Sequence, residues 1–422
     1  MKRVKRFLKV IGPGFITGAS DDDPSGIATY SQAGAQFGYG QLWTAPFSFP
    51  FMAVVQEMCG RIGLVCGKGL SGVIRQHYSR KILYLSVSLL FLANIINIGA
   101  DLGAMAASAQ LILGLPFLVW LLTFAMITVS LQVFLKYKTY ARVLKFLTFS
   151  LFAYILAAFT VTKNWGEVFR STIIPTVSLE KNFILNVVAI LGTTISPYLF
   201  FWESDEEAEE KNLKRQIIST GKGISRVSRK MIGEMREDTV IGMFFSNLVM
   251  FFIIMTVGST LYVSGVRNIE TAQQAAEALR PIGGDFAFLL FAAGIIGTGF
   301  LAVPILTGSA SYAMSEAFNW RASLNVRFTK AHKFYFIIFT ATLSGMLINL
   351  LSIPPIKMLY YSAILNGLCA PPLLFLILKI SNDKKIMGTY TNSAISNIVG
   401  ISAFSLMTLA ALALILSLSG II

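Results

Sequence analysis

The sequence predicts an all-α polytopic membrane protein of about eleven transmembrane helices, the first ten arranged as two inverted five-helix repeats with helices one and six broken. Three observations predict this. Hydrophobic residues make up 55% of the 422 and charged residues only 13%, about half the charge of an ordinary soluble domain. Eleven apolar stretches of membrane-spanning length follow one another, at 10–39, 42–66, 82–113, 116–135, 141–162, 183–204, 239–265, 286–317, 334–351, 358–378 and 395–419. Two of them, five spans apart, are interrupted by Gly, Pro and polar residues. The chain therefore reads as one transmembrane domain over 1–422, with 10–162 the first repeat, 183–378 the second and 395–419 an additional helix.

The first span carries Asp21, Asp22 and Asp23, followed by Pro24, Ser25 and Gly26. At 1.5 Å per residue Asp23 lies roughly 20 Å from the start of the span, well inside a hydrocarbon core about 30 Å thick. A charge at that depth needs a cavity, an ion or a counter-charge. Pro24 has no amide donor and Gly26 tolerates unusual dihedrals, so the helix is expected to unwind beside the acids and to leave carbonyls free next to carboxylates. Such hard oxygen ligands suit a small divalent cation.

The sixth span repeats the design, because Gly192, Thr193, Thr194, Ser196, Pro197 and Tyr198 interrupt its apolar run. Paired interruptions point to a secondary transporter that binds its substrate at the midplane between them. An odd number of spans per repeat gives the repeats opposite orientation. Kinks in two ordinary helices are the plainer explanation, since membrane helices tolerate Pro and Gly.

Basic residues test the topology independently. With the N-terminus in the cytoplasm, 29 of the 35 Lys and Arg lie on the cytoplasmic side, leaving only Lys163, Arg170, Lys181, Arg267, Arg280 and Lys357 outside. This asymmetry fits an odd number of spans with the C-terminus out, in a multi-pass protein of the cell (plasma) membrane. It also accounts for the net charge of +14. Because the charges are scattered over short stretches, no nucleic-acid partner is expected; the lipid bilayer is the expected surrounding, and no obligate protein partner is evident. The first span is too long, too acidic and too poor in cleavage-site residues for a removable signal. Cys59, Cys66 and Cys369 sit in or at the ends of spans and read as packing residues. His77 and His332 fall in cytoplasmic connections, so neither is an intramembrane ligand. The chain has no phosphate-binding Gly-x-x-x-x-Gly-Lys loop, and it is expected to need no resident cofactor and to be no enzyme.

The runs Gly12-Pro13-Gly14-Phe15, Asp23-Pro24-Ser25-Gly26, Gln32-Ala33-Gly34-Ala35 and Phe37-Gly38-Tyr39 resemble the first helix of the NRAMP divalent-metal transporters, with matching spacing throughout. The resemblance covers the whole chain. It implies a LeuT-like fold and a metal site formed by an Asp-Pro-Gly-Asn break in helix one and an Ala-x-x-Met-Pro-His break in helix six. Asp23 then falls on the family's metal-binding aspartate, Ser25 and Gly26 replace its Gly-Asn pair, Thr193 falls on the alanine, Ser196 on the methionine and Tyr198 on the histidine. An amide ligand, the soft thioether and the imidazole are thereby missing.

Thioether sulfur favours transition metals. A site of carboxylate, hydroxyl and carbonyl oxygens around Asp23, Thr193, Ser196 and Gly26 instead suits an ion that keeps its waters, as magnesium does. The departures resemble those of the NRAMP-related magnesium transporters, which implies magnesium as the transported ion, with manganese also carried. The family's proton-coupling groups are eroded too. Tyr198 and Glu203 take the histidine positions, and of an Asp-Leu-Ala-Glu pair only Asp101 remains, so weak or absent proton coupling is expected. Tyrosine, with an ordinary pKa near 10, carries protons poorly at neutral pH. Glu203 is the residue that can still accept one. The alternative is the ordinary activity, proton-coupled manganese or iron uptake.

Other polar residues leave alternatives open. Asp21 and Asp22 either line the cavity with Pro24, Ser25 and Pro197 or bond unwound backbone. Asp101 either assists ion passage or pairs across the bundle, and Asn366 either lines the cavity or makes a helix–helix hydrogen bond. The charged stretch 203–238 reads as a solvated helical end whose acids pair with Lys211, Lys214 and Arg215, or as an acidic exit vestibule. Two rival classes remain. An intramembrane aspartyl protease built on Asp23 and Asp101 leaves the second break unexplained, and an amino-acid transporter places its substrate's carboxylate against three acids.

Overall fold

The computed structural model describes residues 13–134, 152–219 and 227–419, apart from positions 322, 325, 327 and 352, and contains no strand among them. The first predicted span is two helices, α1 (Pro13–Asp21) and α2 (Pro24–Phe37). Pro24 occupies the first position of α2, where a missing N–H costs nothing. Asp23 caps the same helix, with extended backbone at φ −67° and ψ 171° and its side chain accepting from the Gly26 N–H. A new helix start, rather than a bent helix, makes the interruption.

After α2 come α3 (Thr44–Cys66), the short α4 (Leu70–His77), α5 (Arg80–Leu113), α6 (Phe117–Phe134), α7 (Phe152–Val161) and α8 (Trp165–Ile173). The second interrupted span is α9 (Lys181–Thr194) and α10 (Pro197–Ser219), again with Pro opening the second half. Beyond it lie α11 (Arg229–Thr260), the short α12 (Ala272–Ala276) and α13 (Arg280–Gly283), then α14 (Ala287–Ala317), α15 (His332–Ile348), α16 (Pro355–Asn382), α17 (Lys384–Met387) and α18 (Ala394–Leu418).

Nine helices among the described residues are long and apolar enough to cross a membrane, counting 181–212 across the second break as one. The broken α1/α2 and the apolar α7 account for the other two predicted spans; the fifth span's first part, 141–151, lies outside the described residues, as do 10–12 of the first. On α6 and α18, Leu118, Leu122, Met126, Ile398, Leu409 and Leu412 point outward, which is what a lipid-facing surface requires, since hydrocarbon rewards no burial of apolar groups.

Contacts without side chains place the broken helices. A Cβ on Gly18 of α1 would come within 2.3 Å of the Gly242 backbone of α11, and one on Gly192 of α9 within 2.0 Å of the Ala363 carbonyl oxygen of α16. Backbone therefore rests on backbone, the close approach that small residues permit between membrane helices. Asp238 of α11 also reaches α1, where its Oδ2 accepts from the Gly14 N–H at 2.9 Å and satisfies a helix-start donor.

Candidate metal site

The two breaks meet. Ser25 Oγ at the start of α2 lies 3.4 Å from Thr193 Oγ1 at the end of α9, and Tyr198 in the first turn of α10 donates its hydroxyl to the Ser20 carbonyl of α1 at 2.9 Å. Gly26 sits in this junction, where a Cβ would meet the Asp21 carbonyl at 3.2 Å and Thr193 Oγ1 at 3.4 Å.

Asp23 is the centre of the arrangement and is 1% exposed. Its Oδ1 accepts from Ser25 Oγ at 2.6 Å and from the Gly26 N–H at 2.8 Å. Its Oδ2 accepts from Asn97 Nδ2 of α5 at 3.1 Å, and Asn97 Oδ1 in turn accepts from Ser362 Oγ of α16 at 2.8 Å. Three transmembrane elements, α2, α5 and, through Asn97, α16, thus fix one carboxylate. Neither Asn97 nor Ser362 was singled out by the sequence reading. The signal lies in α5, where Asn94, Asn97 and Asp101 recur at helical spacing in an apolar run and so share one face.

The remaining predicted residues divide into those at the junction and those beside it. Thr193 and Ser196 lie at the end of α9 and just past it, and Ser196 Oγ donates back to the carbonyls of Gly192 and Thr193, both at 2.7 Å. Its lone pairs, rather than its proton, are what it offers an ion. Pro24 and Pro197 open the two second halves. Asp21 and Asp22 face α11, where Ser246 Oγ donates to Asp21 Oδ2 at 2.6 Å and lies 3.3 Å from Asp22 Oδ1. The group that both meet is thus a hydroxyl of α11 rather than unwound backbone. Asp101 is wholly buried with no hydrogen-bond partner on either carboxylate oxygen, and the Asn366 amide nitrogen is likewise buried without one. Glu203 lies further along α10, about 9 Å past Pro197, where it accepts from Thr17 Oγ1 of α1 at 2.5 Å and from Thr239 Oγ1 of α11 at 3.0 Å. Among the described residues no three His, Cys, Asp or Glu side chains converge on one point, and the groups bonded to Asp23 itself are a hydroxyl, a backbone N–H and an amide.

The solvated end expected for the acidic stretch is corrected by the structure. Glu203, Asp205, Glu207 and Lys211 are each at most 6% exposed, because α10 continues inward against α3, α4 and α14 instead of leaving the bundle. Ser204 Oγ accepts from the Leu70 N–H at 2.9 Å, and Lys211 Nζ donates to the Val65 carbonyl at 3.0 Å. The Lys214 and Arg215 side chains lie outside the described residues. Periodicity alone does not separate a charged face toward water from one toward other helices.

A buried ion pair lies within the second half of α3. Glu57 and Arg61 are 4% and 3% exposed. Arg61 Nε donates to Glu57 Oε1 at 3.0 Å, and the same guanidinium donates to the Tyr390 carbonyl at 2.5 Å and to Asn392 Oδ1 at 2.6 Å. Arg236 of α11 adds a bond to Glu57 Oε1 at 2.9 Å. Breaking such a pair strands a buried charge, at a cost of about 3–5 kcal/mol. Glu57→Ala is accordingly expected to lower the detergent-solubilised protein's melting temperature by several degrees, and Glu57→Ala with Arg61→Met to recover part of that loss. Thermal unfolding of the three proteins side by side checks this.

Two interrupted spans that meet at a buried carboxylate inside a helical membrane bundle define a LeuT-like transporter fold. The sequence matches the profile of the Nramp family, described as natural resistance-associated macrophage protein-like, over residues 14–417, and the chain belongs to that family. A curated relative, the divalent metal cation transporter MntH of Caldanaerobacter subterraneus subsp. tengcongensis, is 24% identical over 99% of this chain and 95% of its own length. Among solved structures, the manganese transporter of Eremococcus coleocola in complex with an aromatic bis-isothiourea compound superposes with a TM-score of 0.80 at 16% identity, covering 97% of this chain and 86% of that one. Mhp1, a nucleobase-cation-symport-1 family transporter, shares the fold at a TM-score of 0.60 and 14% identity, over 96% of this chain and 91% of its own. These relatives are transporters rather than enzymes, and the protease alternative falls with them.

Proposed function

We propose that the protein is a secondary transporter that takes up divalent metal cations, magnesium above all and manganese as well, by alternating access about Asp23 with weak or no proton coupling. One observation carries the reading. At the junction of the two breaks Asp23 is surrounded by hydroxyl, amide and backbone groups, with Ser196 and Tyr198 standing where sulfur and imidazole would confer a preference for softer metals. An ion that dehydrates reluctantly and binds through one or two carboxylates fits that chemistry. The named activity of the MntH relative, divalent metal cation transport, agrees with the coarser part of the proposal.

Energetics permit uptake without a coupled proton. A divalent cation entering a cell held at −100 mV gains about 4.6 kcal/mol, from 2.3 kcal/mol per charge. The test is influx into proteoliposomes loaded with a magnesium dye or a pH dye. Magnesium uptake with no stoichiometric acidification supports the proposal. Manganese uptake accompanied by acidification, with no magnesium uptake, would overturn it and return the protein to proton-coupled transition-metal transport.

Restoring a soft ligand at position 196 has an expected outcome. Ser196→Met places a thioether in the second break and removes only the bonds from the Ser196 hydroxyl back to the last turn of α9. The variant is expected to shift selectivity toward manganese and cadmium by about tenfold, equivalent to ~1.4 kcal/mol, as measured by competition against magnesium influx.

A further inference from the structure

Asn97 links the Asp23 carboxylate to α16, and its partners are satisfied with the amide either way round. In the structure Nδ2 donates to Asp23 Oδ2 at 3.1 Å while Oδ1 accepts from Ser362 Oγ at 2.8 Å. Ser362 Oγ also lies 2.7 Å from the Leu359 carbonyl, a second acceptor for its single proton. If the Asn97 amide turns over about its last torsion, Nδ2 faces Ser362, whose oxygen can accept while its proton goes to Leu359. Oδ1 then faces Asp23. Two oxygens replace a donor–acceptor pair without leaving Ser362 unsatisfied.

That exchange matters only if something positive stands beside Asp23, since two facing oxygens repel. We propose that Asn97 is a switchable cation ligand, whose amide oxygen turns toward a divalent ion held by Asp23 and supplies the amide that Ser25 and Gly26 do not. The inference rests on divalent-cation binding at Asp23 as proposed above. Geometry supports it. Two oxygen ligands at 2.0–2.1 Å on adjacent corners of an octahedron stand about 2.9 Å apart, near the 3.1 Å between Asp23 Oδ2 and Asn97 Nδ2. Asn97 and Ser362 are 0% and 1% exposed, so no bulk water competes for the amide. A residue serving only to orient Asp23 needs the N–H and not the oxygen, and this separates the two roles experimentally.

The test is equilibrium binding of magnesium, and in parallel of manganese, to the purified full-length protein by calorimetry, for the natural sequence, Asn97→Leu and Asn97→Asp. Asn97→Leu keeps the volume and removes the oxygen, and it is expected to weaken binding at least tenfold. Asn97→Asp offers oxygen and no donor, and it is expected to bind at least as tightly as the natural protein. Unchanged affinity in Asn97→Leu, or loss in Asn97→Asp as large as in Asn97→Leu, would overturn the assignment and leave Asn97 a positioning donor. Where Asn97→Leu does not fold, Asn97→Asp alone decides. A natural protein that binds manganese but not magnesium defeats the magnesium reading instead, and the Asn97 comparison is then read with manganese.

Discussion

Asp23→Asn is expected to reduce divalent-cation influx to the level of protein-free liposomes while leaving the protein folded. Asn caps helices as well as Asp does, and one side-chain oxygen remains to accept from Ser25 Oγ and the Gly26 N–H, as Oδ1 does now. Its new amide nitrogen faces Asn97, whose own amide can turn over to accept from it while Ser362 donates to the Leu359 carbonyl, so the fold has little to lose. The ion has much more, because a divalent cation roughly 4 Å from a carboxylate gains about 8 kcal/mol at an effective dielectric constant of ~20. If dehydration cancels three quarters of that, the remaining ~2 kcal/mol still changes affinity about thirtyfold. Influx assays with matched size-exclusion profiles separate lost binding from lost structure. Asp23→Ala is the less informative variant, since it also removes the cap and strands the Asn97 amide. Normal influx in a well-folded Asp23→Asn protein would move the ion away from this junction.

Gly192→Ala is expected to prevent assembly of the second repeat. A Cβ there would lie 2.0 Å from the Ala363 carbonyl oxygen and 2.4 Å from the Gly367 amide nitrogen. These are backbone atoms inside α16, so relief requires moving a whole helix rather than turning a side chain. Overpacking in a well-filled core typically costs about 1–3 kcal/mol, and an obstruction by rigid backbone belongs at or above the top of that range. Gly233 of α11 provides the contrast, for nothing lies within 4 Å of its added Cβ. Gly233→Ala is expected to stabilise by about 0.5–1 kcal/mol through helix propensity. Fluorescence size-exclusion chromatography should show aggregate and little monodisperse protein for Gly192→Ala, and an undiminished peak for Gly233→Ala.

Much of this was legible in the chain because the governing signals are local. Pro24 and Pro197 each open a helix, and the acids before Pro24 mark a buried polar junction whatever surrounds it. Both breaks were legible in this way, and the approach of Ser25 to Thr193 agrees with the pairing that their spacing suggested. Asn97 and Ser362 were not found. Their importance lies in reaching Asp23 from α5 and α16, which are 74 and 339 positions away along the chain, and no local pattern carries that pairing. The 203–211 segment failed for a related reason. Its charges repeat as on any solvated helix, and only the packing of α3, α4 and α14 around it reveals that they are internal.

The buried charges described above also separate two kinds of selectivity. Among the described residues nine acids are buried, Asp21, Asp22, Asp23, Glu57, Asp101, Glu203, Asp205, Glu207 and Asp238, against two bases, Arg61 and Lys211. Both bases are spoken for, Arg61 by Glu57, Tyr390 and Asn392, and Lys211 by the Val65 carbonyl. In a chain whose net charge is +14, the buried charge is thus mostly acidic. On the proposed reading this excess of buried acids disfavours an anion by the joint effect of many groups, while the choice among cations falls to the few groups around Asp23.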